Sequence, residues 1–239
     1  MRVLSFSEKG CIRKNNEDSF LVLSTDGLYA VADGMGGHRA GEVASSTALE
    51  ELGKFVPQFA ELEEQALEQG LTEAFAHANR VIYESSATEP ENAGMGTTLT
   101  VLLIRNAEVV IAHVGDSRAY LWRDEGLTLL TTDHSLVGEL VRLGQISPEE
   151  ANKHPQRNVL MRAIGADPSV EVDCQSLNLQ TGDVFLLCTD GFSNMINDQE
   201  LTEEFLEPGS WEERLERLRQ LTLERGAPDN FTALCCIME

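Results

Sequence analysis

The 239-residue sequence contains no CxxC pair and no HExxH segment, and its five histidines are dispersed. Zinc sites and dithiol redox chemistry are therefore disfavoured. The five cysteines (Cys11, Cys174, Cys188, Cys235 and Cys236) are odd in number and lie mostly in apolar, strand-like runs. They read as small core hydrophobes in a reducing compartment. Basic residues are scarce, 18 Lys and Arg against 40 Asp and Glu, for a formal net charge of -22. That balance opposes broad contact with nucleic acid or anionic lipid. No window of about 20 residues is free of charge, and the first residues lack the basic-then-apolar order of a signal peptide. A cytoplasmic location with no membrane partner is expected. Aromatic residues amount to only 6%, which weighs against a glycosidase with a carboxylate pair flanking a sugar groove.

Apolar residues make up 42% of the chain, enough for a sizeable core, and no repeat or low-complexity linker divides it. One domain over 1–239 is the simplest reading. Strand-like runs occur at 3–7, 20–24, 28–32, 97–104, 109–114, 119–123, 127–131, 170–177, 184–188 and 231–238. Several are separated by short polar or Gly-containing turns, as in antiparallel hairpins. A first helical pattern over 42–56 places Val43, Ala48, Leu52 and Phe55 on one side. A second aligns Leu67, Leu71, Ala74, Phe75, Ala78 and Ile82, and a third near the end carries Trp211, Leu215 and Leu218. Hairpin strands and long helices with a single apolar stripe predict an α+β fold, antiparallel sheets covered by helices.

The informative feature is how the strands end. The run at 28–32 stops at Asp33-Gly34, that at 109–114 at Gly115-Asp116, that at 184–189 at Asp190-Gly191, and Asp229-Asn230 opens the last strand. Asp-Gly and Asp-Asn are common turn dipeptides, and Asp26-Gly27 reads as one. Asp33 differs, because Gly34-Met35-Gly36-Gly37-His38 follows it and then a helix, which is no hairpin. Carboxylates at the ends of rigid strands, beside glycines that let backbone come close, suit a hard divalent cation such as Mg²⁺ or Mn²⁺. A second cluster spans 10–18, where Arg13 precedes Glu17 and Asp18. Charge pattern alone makes it a solvated loop. Beside a metal centre, Arg13 could grip two phosphate oxygens, and Glu17 and Asp18 could hold metal-bound waters.

Seven motifs in order resemble the metal-dependent (PPM, type 2C) serine/threonine protein phosphatases in their compact bacterial form. They are GxxRxxNED at 10–18, VADGMGGHxxGExAS at 31–45, MGTT at 95–98, HVGDSRxY at 113–120, HPQRNVLxRAIG at 154–165, LLCTDG at 186–191 and PDN at 228–230. The resemblance implies a four-layer α-β-β-α sandwich, with two antiparallel sheets between helices and a flap subdomain at about 134–165. It also implies two core Mn²⁺ or Mg²⁺ ions. Asp33 would bridge them, the Gly34 carbonyl would bind one, and Asp190 and Asp229 the other. Asp116 would hold a third, weaker ion, Asp18 would support the site or its waters, and Arg13 would bind phosphate. Glu17 and Asn230 would support the ligands.

The implied reaction is hydrolysis of phosphoserine and phosphothreonine in proteins, in one in-line step by a metal-activated water. The expected setting is a bacterial serine/threonine kinase system, with the phosphatase a monomer. Met35 stands where many eukaryotic members carry a histidine proposed as general acid, which leaves His38 and a metal-bound water as candidates for that role. The flap carries Arg142, Lys153, Arg157 and Arg162 against three acids, a local balance of +1, and is expected to help receive the phosphopeptide. The contrasting reading is a catalytically inactive relative that only binds phosphoprotein; retention of Asp33, Asp190 and Asp229 argues against it.

Overall fold

The structure, a computed structural model, describes the chain except for residues 37–39, 64, 65 and 152 and the side chains of 148 and 149. Strands β1 (Arg2–Glu8), β2 (Asp18–Leu23) and β3 (Leu28–Met35) lead into α1 (Ala40–Gly53), α2 (Val56–Glu61) and the long α3 (Leu67–Thr88). Then follow β4 (Gly96–Thr97), β5 (Leu99–Arg105), β6 (Glu108–Val114), β7 (Arg118–Arg123) and β8 (Gly126–Leu129). Two short helices, α4 (Leu136–Arg142) and α5 (Pro148–Ala151), precede β9 (Asp173–Asn178) and β10 (Val184–Cys188). The chain closes with α6 (Asp190–Ser193), α7 (Asp198–Leu206), α8 (Trp211–Glu224) and β11 (Phe231–Ile237).

The strands form two antiparallel sheets, ordered β1-β11-β10-β7-β8 and β2-β3-β5-β6-β9, with β4 added beside β3. Period-two alternation divides the core into three layers. Tyr29, Val31, Leu102, Ile111, Phe185, Leu187 and Leu234 pack between the sheets. Leu28, Ala30, Ala32 and Val101 turn instead toward α1 and α3. Leu186, Ala233, Cys235 and Ile237 turn toward α7 and α8. Because β3, β10 and β11 are buried on both faces, they read in sequence as unbroken apolar runs. The adjacent Cys235 and Cys236 point into different layers, and burial pushes the Cys235 thiol up to about 12.

The α3 stripe of Leu67, Leu71, Ala74, Phe75, Ala78 and Ile82 is wholly buried, as its spacing predicts. Three expectations need correction. Val43 is exposed, and α1 buries Ala40, Ala44, Ala48 and Leu52 instead. The helix expected over 42–56 ends at Gly53, and Pro57 helps start the separate α2. Strand β3 does not stop at Asp33 but runs on to Met35, because Gly34 and Met35 pair with β4.

Candidate active site

Antiparallel pairing brings the chemistry-bearing residues to one end of the sandwich. Asp18 opens β2 directly opposite Asp33 on β3. Next to them, the start of β5 faces the end of β6 through the Leu99–Val114 pair, so Gly115 and Asp116 follow at the same end. In the other sheet, Cys188 ends β10 between Arg118 and Ala233, which places Asp190 beyond it and Asp229 just before β11.

The peptide of Asp33 is held where the ladder breaks. Its N–H donates to the Thr98 hydroxyl at 2.8 Å, and its carbonyl accepts from Thr98 N–H at 2.9 Å and from the Thr97 hydroxyl at 2.8 Å. Thr98 thus substitutes a side-chain oxygen for a main-chain acceptor and separates β4 from β5. The main chain of Thr97 is thereby free to pair with Ile164, the last strand-like contact of the 134–165 segment (N···O 3.0 and 2.8 Å). The Thr98 hydroxyl also meets that of Ser117 at 2.8 Å, one residue past Asp116. Gly34 presses against the first turn of α1. A Cβ there would stand 1.9 Å from the Gly41 carbonyl oxygen and 2.8 Å from that of Glu17.

Asp18 is buried, and its Oδ2 accepts from the hydroxyls of Thr189 (2.7 Å) and Thr232 (2.8 Å), while its Oδ1 has no partner. Asp190 accepts from Asn194 Nδ2 at 3.1 Å through Oδ2, and its buried Oδ1 is likewise unpartnered. Asn230 clamps the loop that carries Arg13. Its amide donates to the carbonyls of Lys9 and Asn15, both at 2.8 Å, and its Oδ1 accepts from Glu17 N–H at 2.8 Å. Arg13, half exposed, donates to Asp229 Oδ2 at 2.7 Å, and the other Asp229 oxygen accepts from Asn230 N–H at 2.8 Å. An ion pair this open to solvent is worth about 1 kcal/mol or less, so Arg13 can exchange Asp229 for another anion at little cost.

Burial, then Asp18, Asp190 and Asp116, drives the Asp33 carboxyl well above the ordinary carboxylate range. Burial likewise lifts Asp116, with Asp190 and Asp133 adding to it. It lifts Asp190 as well, with Asp229 and Asp133 adding and contact with Asp33 opposing. Asp18 is raised chiefly by burial, against its two hydroxyl donors. Burial also raises Glu17, with Arg13 opposing. A group of acids that raise one another's pKa has an excess of negative charge, which a divalent cation would relieve. All donors are hard oxygens, and two of the buried ones are unpartnered, so the set fits Mg²⁺ or Mn²⁺. Among the described residues no three His, Cys, Asp or Glu side chains close tightly on one point.

His38 lies outside the described residues. Met35 is partly buried beside Gly96. Two of the four flap cations have ion-pair partners: Arg142 pairs with Glu139, and Arg162 with Asp173 (2.6 Å) and Glu171 (3.1 Å). Lys153 and Arg157 form no ion pair among the described residues. The hydroxyls of Thr98, Ser117, Thr189 and Thr232 do not stand out in the sequence, although three of the four lie inside the seven motifs.

The family model described as Protein phosphatase 2C matches residues 11–224. The chain belongs to the protein phosphatase 2C family. It is 40% identical over 232 residues to the serine/threonine phosphatase stp of Listeria monocytogenes serotype 4b, covering 95% of this chain and 92% of that one. It is also 40% identical over 238 residues to the serine/threonine protein phosphatase PstP of Mycobacterium tuberculosis, covering 98% of this chain and 44% of that longer one. The crystal structure of the PstP catalytic domain in complex with two manganese ions matches with a TM-score of 0.87 at 37% identity, over 100% of this chain and 98% of that one. As a protein phosphatase 2C, the chain is a metal-dependent serine/threonine phosphatase acting on phosphoproteins, with the expected sandwich of two antiparallel sheets flanked by helices. No described helix is long and apolar enough to cross a membrane.

Proposed function

We propose that the acids at this end of the sandwich are the metal-binding and catalytic centre of the phosphatase, within a single domain over 1–239. Asp33 would bridge two Mn²⁺ or Mg²⁺ ions, with the Gly34 carbonyl on one and Asp190 and Asp229 on the other. Asp116 would hold a third, weaker ion, and Asp18, Glu17 and Asn230 would support the ligands. The observation that carries this reading is the joining of carboxylates from both sheets into one cluster, in which burial and mutual repulsion raise Asp33, Asp116 and Asp190 together. The orphaned Oδ1 atoms of Asp18 and Asp190 face the same need.

When bound, the two ions supply a water acidic enough to attack phosphorus near neutral pH and offset charge on the phosphoryl oxygens. The chain's own residues orient the substrate around that chemistry. Arg13 leaves Asp229 for the phosphoryl group and grips two of its oxygens, aligning the serine or threonine oxygen to depart in line. Asn230 keeps the Arg13 loop in place through three main-chain hydrogen bonds. With no histidine at Met35, His38 or a water protonates the departing alkoxide. The cysteines take no part.

Arg13→Ala should raise KM for a phosphothreonine peptide by ~10-fold or more and weaken inhibition by inorganic phosphate by a similar factor. Steady-state kinetics with both ligands checks this, and an unchanged KM would remove Arg13 from phosphate binding. Substrates are phosphoproteins of a cognate bacterial serine/threonine kinase, and the enzyme works as a monomer in the cytoplasm. Phosphothreonine peptides should be turned over far faster than phosphotyrosine peptides; equal rates would refute the substrate class. The flap at 134–165 receives the protein part of the substrate through Lys153 and Arg157, the two cations with no ion-pair partner among the described residues. Lys153→Ala/Arg157→Ala should therefore slow dephosphorylation of a phosphoprotein by a few-fold while sparing a small aryl phosphate. Equal loss on both substrates would count against that role.

A further inference from the structure

Two histidines outside these assignments, His113 and His134, stand together. His113 is the last residue but one of β6, His134 opens the 134–165 segment, and their rings pack at a 38° tilt with centroids 4.7 Å apart. Hydrogen bonding fixes which nitrogen of each carries the proton. The carbonyl of Thr132 faces His113 Nε2 at 3.2 Å, so that nitrogen donates and Nδ1 accepts from the Thr100 hydroxyl at 2.9 Å. For His134 the roles are set by Gly115, whose N–H donates to Nδ1 at 3.1 Å. His134 Nε2 therefore bears the hydrogen and donates to Asp173 Oδ2 at 3.1 Å. Arg162 takes the other oxygen of Asp173 at 2.6 Å and packs 3.1 Å from the same ring nitrogen. Together the His113 ring, Asp173 and Gly115 leave His134 a single orientation.

The contact with Gly115 is reciprocal, since the N–H of His134 also donates to the Gly115 carbonyl at 2.7 Å. Both main-chain polar groups of Gly115 are thus satisfied by one residue. The position admits little adjustment, because Gly115 has φ +117 and a Cβ there would lie 2.5 Å from Thr98 Cγ2. The turn is braced again three residues on, where Arg118 grips Asp133 with two hydrogen bonds of 3.0 and 2.8 Å. The next residue after Gly115 is Asp116.

We propose that His134 is a positioning residue for Asp116: its Nδ1, by holding the Gly115 N–H, sets where the Asp116 carboxylate stands and ties the cation position at Asp116 to the root of the flap. The inference rests on the reading of Asp116 as a cation ligand. A group that orients a ligand without touching the ion typically changes metal affinity ~10-fold or more when removed.

The test is a Mn²⁺ binding titration by calorimetry on the full chain, with Asp116→Ala measured in parallel. Wild type should show two tight ions and one weak one, and Asp116→Ala should lose the weak one. Asparagine can present an oxygen where His134 has Nδ1, whereas glutamine places its amide nearer Nε2 and phenylalanine retains only the ring contact with His113. His134→Asn should keep the weak Kd within about 3-fold, and His134→Gln and His134→Phe should raise it ~10-fold or more, with the tight pair unchanged. Should His134→Phe fail to fold, the comparison of the two amides decides. A wild-type weak Kd in His134→Gln, or equal losses in the two amide variants, overturns the proposal while leaving Asp116 a ligand. A weak ion that survives Asp116→Ala, or is missing from wild type, overturns the reading of Asp116 itself.

Discussion

Asp33→Asn should lower turnover by on the order of 10³-fold or more, equivalent to ~4 kcal/mol of transition-state stabilisation, while making the metal-free protein more stable. Both halves follow from one arrangement. Asp33 is crowded by Asp18, Asp190 and Asp116, and its pKa is raised first by burial and then by those acids. For an acid whose folded pKa exceeds its unfolded value, ionisation costs stability, and that cost is fully present above the folded pKa. Asparagine removes the charge and keeps the shape. The main-chain bonds of residue 33 to Thr97 and Thr98 do not involve the altered side chain. Melting in EDTA should therefore move upward by a few degrees, whereas the extra stabilisation that Mn²⁺ confers on the wild type should largely disappear. A variant with near-normal rate would remove Asp33 from the bridging position. A variant that melts lower in EDTA would contradict the crowding of the acids.

Gly34→Ala should have the next largest effect, and through packing rather than charge. The added methyl would meet the carbonyl oxygens of Gly41 and Glu17 at 1.9 and 2.8 Å, and both belong to backbone that cannot turn aside. Either α1 or the Arg13 loop must move, and the metal-binding end of β3 moves with it. Overpacking of this kind costs about 1–3 kcal/mol, so the melting temperature should fall by about 2–10 °C together with most of the activity. Gly53 provides the control. It ends α1, and a methyl group added there would have nothing within 4 Å, so Gly53→Ala should be neutral or stabilise by about 0.5–1 kcal/mol with full activity. Differential scanning calorimetry and phosphate release on the two variants would check both expectations. A Gly34→Ala enzyme as stable and active as Gly53→Ala would show that α1 and β3 are not packed this closely.

Much of this architecture is legible in the residues because β3, β10 and β11 are buried on both faces and so leave unbroken apolar runs. The α3 stripe is equally plain at three- and four-residue spacing. The failures have physical causes. Val43 fits a helical stripe in sequence, but the small face of Ala40, Ala44 and Ala48 packs on β3 and turns Val43 outward. The continuation of β3 past Asp33 depends on pairing with Gly96 and Thr97, some 60 residues later, which no local pattern reveals. Helix α7 escapes a sequence reading because only Leu201 and Phe205 of its residues are buried.

The carboxylates of the site are visible as Asp-Gly and Asp-Asn pairs at strand ends. Their holders are not: a threonine in a strand looks the same whether or not its hydroxyl supports Asp18 or Asp33. The pairing of Arg13 with Asp229 joins residues 216 apart and becomes visible only in three dimensions.

The most direct test of the metal-dependent mechanism is release of phosphate from a phosphothreonine peptide by protein stripped with EDTA and then titrated with Mn²⁺. The expected result is negligible release from the stripped protein, full recovery on adding Mn²⁺, and no recovery in Asp33→Asn at the same concentration. Release that persists in EDTA, or that returns equally in Asp33→Asn, would contradict it.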